Sequence, residues 1–207
     1  MSEVVKDYLW TFKFNNIDNQ KLYNTCLRVG EYVDVVFPPV PDDNSYSCAT
    51  TYYHGRYNMF SFPDSELFKL YSNISENFYS VMREDDYYIR CWVNLFKPGG
   101  HIDWHNHFSA ELKAYHGFYC VNTEGENESY TEYKIPGQKN ITKITSKNGL
   151  CVFGKSGEDR HRASPWKNDG YRVTIAFDIA PLSTIPTDSF MGLSPGDLIP
   201  LKKNKNT

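Results

Sequence analysis

The second half of the chain carries a series of short segments with the alternation of β-strands, and this constrains the fold most. Between Tyr88 and Ile179, apolar and aromatic residues alternate with polar ones in runs separated by turn-forming Gly, Asn, Asp and Ser. Short strands of this kind after a helical region indicate an antiparallel sandwich or barrel braced by helices. The predicted strands are 88–96, 117–122, 129–135, 141–145, 150–153 and 171–179.

The region of the chain before these strands, residues 1–86, mixes helical and irregular segments. Alternation over 8–14 predicts one strand, and apolar residues at helical spacing predict a helix over 19–30 that ends at a glycine. The clearest helix is predicted over 64–83, with Asp64 as its N-cap. We therefore expect a mainly β protein with N-terminal helices.

The segment 37–63 shows no sustained periodicity and is predicted to be an irregular connection. An aromatic and basic group inside it either lines a pocket or forms a packed aromatic loop, and the pattern does not decide between these alternatives. The group consists of Tyr52, Tyr53, His54 and Arg56.

The length of 207 residues is enough for one domain with its own core. We predict a single domain over 1–181, made of a helical and irregular N-terminal region (residues 1–86) and a β core (residues 87–181). The remaining residues, 182–207, are rich in proline, glycine and lysine and are predicted to form a loosely ordered C-terminal extension.

Composition excludes several functional classes. A net charge of -3 and a pI near 6.1 give no basic surface for nucleic acid. The five cysteines have no C-x-x-C spacing and three lie in apolar runs, so we expect reduced thiols in a cytoplasmic protein. We find no signal peptide and no stretch long enough to span a bilayer, and predict no membrane association. The oligomeric state is left open.

The segment Gly99–His107 has the pattern of a metal site. In an extended strand His101, Asp103, His105 and His107 would lie on one face, because side chains alternate. Imidazoles and carboxylates bind divalent metals such as iron, zinc or nickel. The alternative is that these are solvated loop residues, but so many ionisable groups on one face favour the metal site.

A second signal follows at the end of the predicted core. His161 lies between two predicted strands, and Arg172 and Thr174 then lie on one face of the last strand. A guanidinium with a hydroxyl two residues away offers a bidentate contact and one further hydrogen bond, which suits the far end of a small dicarboxylate.

In order and spacing, these elements resemble the iron(II)- and 2-oxoglutarate-dependent oxygenases, whose motif is H-x-D, a distal His, and R-x-S or R-x-T. The resemblance runs from about Tyr87 to Ile179. It looks closest to the oxygenases of phage and marine bacterial genomes, in the prolyl-hydroxylase-like branch. It implies a double-stranded β-helix, or jelly-roll and cupin-like core, and the host cytoplasm as the location if a phage encodes the chain.

The resemblance leaves two registers open for the metal ligands. Read literally, His101 and Asp103 form the H-x-D. In the prolyl-hydroxylase-like branch, the count from the turn glycine selects His105 instead, and His107 then takes the place of the carboxylate. We favour His105, His107 and His161. Asp103 is either an alternative ligand or an acceptor that orients His105, and His101 and His116 are assigned structural or pocket-lining roles.

The resemblance also implies the chemistry. Iron(II) would bind 2-oxoglutarate and O2, Arg172 and Thr174 would hold the far carboxylate of the cosubstrate, and a substrate C–H bond would be hydroxylated with release of succinate and CO2. The predicted pocket wall consists of Trp104, Phe108, Tyr119 and Trp166.

Two other functional hypotheses are compatible with the predicted β core. One is a cupin-like three-histidine dioxygenase that uses no 2-oxoglutarate, against which Arg172 and Thr174 count. The other is a non-catalytic jelly-roll binding or virion protein whose histidines are solvated or hold a structural zinc. Small-molecule and peptidyl substrates are equally compatible with the sequence.

Overall fold

A computed structural model describes residues 3–5, 7–36, 49–50, 57–82, 86–184 and 197–203. Its helices are α1 (Asn19–Val36) and α2 (Ser65–Val81), with 3-10 turns at Met59–Ser61, Ala110–Leu112 and Leu182–Thr184. The strands are β1 (Glu3–Val5), β2 (Leu9–Lys13), β3 (Ala49–Thr50), β4 (Tyr87–Phe96), β5 (Ile102–His105), β6 (Tyr115–Asn122), β7 (Tyr130–Lys134), β8 (Thr142–Thr145), β9 (Leu150–Lys155), β10 (Arg160–Ala163), β11 (Arg172–Pro181) and β12 (Ile199–Pro200).

The described strands form two antiparallel sheets. The larger sheet has the order β1-β2-β9-β6-β11-β4-β12, with β3 also paired to β4, and the smaller has the order β5-β10-β7-β8. Strands that follow one another in the chain alternate between the sheets from β4 to β7 and again from β9 to β11. This mainly β fold with N-terminal helices confirms the predicted fold class.

The central strands of the larger sheet, β4 and β11, are buried on both faces. On one face, α1 and α2 pack through an apolar cluster that includes Leu22, Cys26, Leu70 and Phe78. The other face looks into the space between the sheets. Alternate residues of β4, β6 and β11 point there, and this face carries most of the buried polar groups described below.

Helix α2 matches its prediction closely. The Asp64 side chain accepts hydrogen bonds from the backbone N–H groups of Glu66 and Leu67, which caps the helix. At the other end, the Phe78 ring packs edge-on against Tyr87 and Tyr115. These contacts fix α2 on the sheet that carries the candidate site.

Helix α1 continues past the predicted stop at Gly30 to Val36. A Cβ atom at Gly30 would lie 2.9 Å from Cδ1 of Leu95 on β4. This glycine therefore permits a close approach of the helix to the sheet, and the prediction that it ends the helix was wrong.

Some of the predicted C-terminal extension is ordered. Strand β12 pairs with β4, Leu201 is buried, and the hydroxyl of Tyr71 donates to the carbonyl of Pro200. Residues 197–203 thus pack on the domain, contrary to the expectation of loose order. The division into 1–181 and 182–207 remains a prediction.

Strand β10 was not predicted, because its sequence, Arg160–Ala163, contains one apolar residue. Tyr52, Tyr53, His54 and Arg56 lie outside the described residues. The described cysteines, Cys26, Cys91, Cys120 and Cys151, are buried free thiols, as expected. Among the described helices, none has the length and apolar character needed to cross a bilayer.

Candidate functional site

Strands β5 and β10 bring three histidines together at one end of the space between the sheets. His105 and His161 are register partners across the two strands, and His107 lies just beyond the end of β5. The ring centroids are 4.2 Å apart for His105 and His161, 5.3 Å for His105 and His107, and 5.2 Å for His107 and His161. One nitrogen from each ring lies within 4.8 Å of the others.

Each of these imidazoles is held through its Nδ1 atom. The acceptors are the backbone carbonyl of Asp103 for His105 at 2.8 Å, Asp178 Oδ1 for His107 at 2.6 Å, and Asp159 Oδ2 for His161 at 3.0 Å. A carbonyl and an ionised carboxylate can only accept, so each Nδ1 carries the proton. The Nε2 lone pairs are left to bind a metal ion.

Electrostatics favour neutral rings at two of these positions. Burial and the neighbouring His107 lower the pKa of His105 to about 4. Burial and His116 lower the pKa of His161 well below its usual value. At His107 burial alone would lower the pKa, but the Asp178 carboxylate raises it. Neutral imidazole is the form that ligates metals.

Asp159 is completely buried next to the histidine group. Its Oδ2 atom lies 3.0 Å from both His161 Nδ1 and His116 Nε2. Burial alone would raise the pKa of this carboxyl, but the neighbouring His116 and His161 hold it well below its usual value. The sequence analysis did not predict a role for Asp159, which lies directly before β10 and two residues before His161.

His116, Asp159 and His161 form a second group whose atoms are close enough to hold a metal ion. Here, however, both nitrogens are at hydrogen-bonding distance from one carboxylate oxygen, and the rings of His116 and His161 stack with centroids 4.3 Å apart. We therefore interpret this group as the support for His161, and His105, His107 and His161 as the ligand set.

The alternative pair of metal ligands, His101 and Asp103, lies apart from the three histidines. The side chain of Asp103 is 70% exposed, and its Oδ1 lies 3.7 Å from His101 Nε2. Within the described residues, neither His101 nor Asp103 belongs to a group that could hold a metal. The sequence suggested that Asp103 is either a ligand or an acceptor that orients His105. In the structure it contacts His105 Nδ1 through its backbone carbonyl and not through its carboxylate.

We expect His105→Ala to reduce metal affinity by more than about 100-fold, because a directly ligating group should matter more than the outer partners, which typically contribute 10- to 100-fold. His101→Ala and Asp103→Ala are the matched controls and should bind metal like the wild type. Isothermal titration with Co(II) under anaerobic conditions measures all three. A large loss in the two control variants, with His105→Ala unchanged, would place the ligands at His101 and Asp103.

Arg172 and Thr174 point into the same interior space from β11. Both are buried, and the guanidinium lies over the ring of Phe96 at 4.9 Å. Its NH1 and NH2 groups donate at 3.2 Å to the carbonyl of Ser164 and the hydroxyl of Ser146. These contacts hold a cation at a fixed position deep in the protein.

A cavity of about 100 Å³ connects the histidines to Arg172 and Thr174. Its apolar wall includes Trp92, Ile102 and Phe118, and Asn94 adds a polar group. These residues were not predicted to line the site, although Trp92 and Asn94 share a face of β4 and Phe118 shares a face of β6 with His116.

The predicted wall of Trp104, Phe108, Tyr119 and Trp166 was wrong, because the described residues that line the cavity include none of them. Trp104 faces outward, with Lys134 Nζ 4.3 Å and Arg162 Cζ 4.8 Å from its ring. Tyr119 and Trp166 are buried in the core. Aromatic composition alone does not reveal which face of a strand looks inward.

No family model and no curated protein sequence matches the chain. The chain is, however, similar to several solved structures. A prolyl-4-hydroxylase from Pseudomonas putida is 12% identical, with a TM-score of 0.58 over 85% of this chain and 94% of that one. The viral collagen prolyl hydroxylase of Paramecium bursaria Chlorella virus-1, solved with 2-oxoglutarate, is 18% identical, with a TM-score of 0.57 over 86% and 98%.

A third similar structure is the epimerase SnoN in complex with Fe3+, alpha-ketoglutarate and nogalamycin RO. It is 12% identical, with a TM-score of 0.61 over 92% of this chain and 87% of that one. The chain therefore has the double-stranded β-helix fold found in the 2-oxoglutarate- and iron-dependent oxygenases.

Proposed function

We propose that the protein is an iron(II)- and 2-oxoglutarate-dependent dioxygenase that hydroxylates a small-molecule or peptidyl substrate. The observation that carries this proposal is one cavity with three Nδ1-bonded imidazoles at one end and a buried arginine at the other. The fold supports it, because similar structures include complexes with 2-oxoglutarate and with Fe3+ and alpha-ketoglutarate.

His105, His107 and His161 would hold the metal. Three imidazoles suit iron(II), and a ligand set of three side chains leaves positions for a cosubstrate and O2. Bound iron supplies the oxygen chemistry that turns 2-oxoglutarate into succinate and CO2 while a substrate C–H bond is hydroxylated. The protein's own contribution is to orient the ligands and to position the two organic molecules.

Arg172 and Thr174 would bind the far carboxylate of 2-oxoglutarate. The guanidinium offers paired donors for a carboxylate, and Thr174 adds a hydroxyl donor from the next inward position on the strand. Both groups are almost fully buried, so their hydrogen bonds would form without competition from water. Trp92, Ile102 and Phe118 would exclude water from the reacting end.

Thr174→Val should weaken 2-oxoglutarate binding by about 10- to 150-fold, which corresponds to about 1.5 to 3 kcal/mol for one hydrogen bond to a charged group. Valine keeps the shape of the side chain, so metal affinity should stay at the wild-type value. Anaerobic titration of the iron-loaded protein with 2-oxoglutarate gives the dissociation constant. An unchanged constant would show that the hydroxyl does not contact the cosubstrate.

The proposed function is tested by reconstituting the protein anaerobically with iron(II), adding 2-oxoglutarate and O2, and measuring succinate. We expect slow release of succinate even without the primary substrate. A protein that binds iron but releases no succinate, and that shows no charge-transfer absorbance between the metal and 2-oxoglutarate, would favour the hypothesis of a three-histidine dioxygenase that does not use 2-oxoglutarate. Failure to bind iron would favour the non-catalytic jelly-roll protein.

Two further assignments belong to this proposal. The buried thiols agree with a cytoplasmic location, which would be the host cytoplasm if a phage encodes the chain. The viral collagen prolyl hydroxylase among the similar structures supports a link to viral genomes. No nucleic-acid or membrane partner is expected.

A further inference from the structure

Asp178 is a buried carboxylate that directly contacts a proposed metal ligand. Its Oδ1 atom lies 2.6 Å from His107 Nδ1, and its side chain is 6% exposed. It lies on β11, where its register partners are Arg90 on β4 and His116 on β6. The contact spans 71 residues of sequence, so no local motif predicts it.

The H-x-D motif of the resembling oxygenases places a carboxylate where this chain has His107. In this structure a carboxylate is still present, but it lies behind the imidazole instead of next to the metal position. A ligand set of three imidazoles is neutral, whereas two imidazoles and a carboxylate carry one negative charge. The His107 and Asp178 pair carries one negative charge, as does the His161 and Asp159 pair, and the buried Arg90 opposite Asp178 on β4 adds a positive charge. What distinguishes Asp178 is its place directly behind the imidazole that stands where the motif has its carboxylate.

We propose that Asp178 is a positioning residue through which His107 takes over the role of the carboxylate ligand. Asp178 holds His107 in the tautomer that ligates through Nε2 and places a negative charge directly behind this ligand. This inference rests on the proposed function, because it assumes a metal ion at His105, His107 and His161.

The three ligands are not oriented equally. His105 depends on a backbone carbonyl, and the oxygen of Asp159 that holds His161 also contacts His116, at 3.0 Å in both cases. The contact between Asp178 and His107 is shorter, at 2.6 Å, and its acceptor is a carboxylate, which forms stronger hydrogen bonds than a neutral carbonyl. A carboxylate that accepts the Nδ1 proton increases the basicity of the ligating Nε2.

The position of Asp178 also connects the two halves of the site. Arg172, Thr174 and Asp178 lie at alternate positions of β11 and thus on one face of one strand. A single rigid strand therefore sets both the orientation of a metal ligand and the position of the proposed cosubstrate groups.

The test is the Co(II) affinity and absorption spectrum of four proteins without cosubstrate: wild type, Asp178→Asn, His107→Asp and the double variant. Asp178→Asn keeps the shape but removes the charge. It should weaken Co(II) binding by about 10-fold or more and shift the absorption bands. Its metal-free melting temperature should remain near that of wild type. Asp103→Asn removes an exposed carboxylate near His105 and is the matched control.

The double variant gives the sharpest outcome. An aspartate at position 107 would place an oxygen close to the position of His107 Nδ1, against the carboxylate of Asp178, so His107→Asp alone should lose about 100-fold or more in affinity. When Asp178→Asn is added, the amide that it introduces can donate to the new carboxylate. The double variant should therefore bind at least about 10-fold more tightly than His107→Asp.

Additive losses in the double variant, or wild-type affinity and spectrum in Asp178→Asn, would overturn the inference. If His107→Asp fails to fold and the double variant folds, that recovery supports it. If neither folds, Asp178→Asn decides by itself. Absence of Co(II) binding in wild type would overturn the metal centre and the proposed function together, whereas equal binding by wild type and Asp178→Asn overturns this inference alone.

Discussion

Replacing His161 by alanine is expected to abolish both metal binding and turnover. His161 is the proposed ligand from β10, and without it only His105 and His107, on one short segment, remain to hold the ion. Removing an outer partner of a metal ligand typically costs about 10- to 100-fold in affinity, and removing the ligand itself should cost more. Metal content after anaerobic reconstitution and succinate release measure the two effects.

His116→Ala is the matched control for this prediction. The His116 ring stacks on that of His161 at an angle of 5°, and its Nε2 atom lies 3.0 Å from the Asp159 carboxylate that also contacts His161. His116 is therefore interpreted as a neighbour of the ligand set and not as a member of it. The variant should lose stability and retain metal. Full metal occupancy in His161→Ala would refute the ligand set. Equal loss of metal in both variants would instead favour His116, Asp159 and His161 as the site.

Arg172→Ala is expected to leave a metal-loaded protein with very weak affinity for 2-oxoglutarate. Loss of a bidentate charge-assisted contact in a buried pocket typically costs about 2 to 5 kcal/mol, which raises the dissociation constant roughly 30-fold to several thousand-fold. The effect should be large here because Arg172 is 1% exposed. The charge-transfer absorbance that develops as 2-oxoglutarate is added anaerobically reports the binding.

Arg172→Lys separates charge from geometry. Lysine retains the positive charge but not the paired donors, so its dissociation constant should fall between those of wild type and Arg172→Ala. Because Arg172 also donates to Ser164 and Ser146, the melting temperature of the metal-free variants must be compared. If Arg172→Ala binds 2-oxoglutarate like wild type, this arginine does not hold the cosubstrate.

The sequence by itself determined the features that depend on local order along the chain. The alternation within the strands and the capped helix after Asp64 follow from a period of two or of 3.6 residues, and both appear in the structure. The sequence also showed the spacing of His105, His107, His161 and Arg172. In the structure these residues lie on or beside strands, and all four line one cavity.

Only the tertiary structure decided which of these residues meet. His101 and Asp103 have the same local pattern as His105 and His107, but the pairing of β5 with β10 brings His105 opposite His161 and leaves Asp103 exposed. Asp178 reaches His107 because β11 lies in the centre of the larger sheet. Strand periodicity specifies that residues alternate between two faces, whereas long-range pairing specifies which face is enclosed.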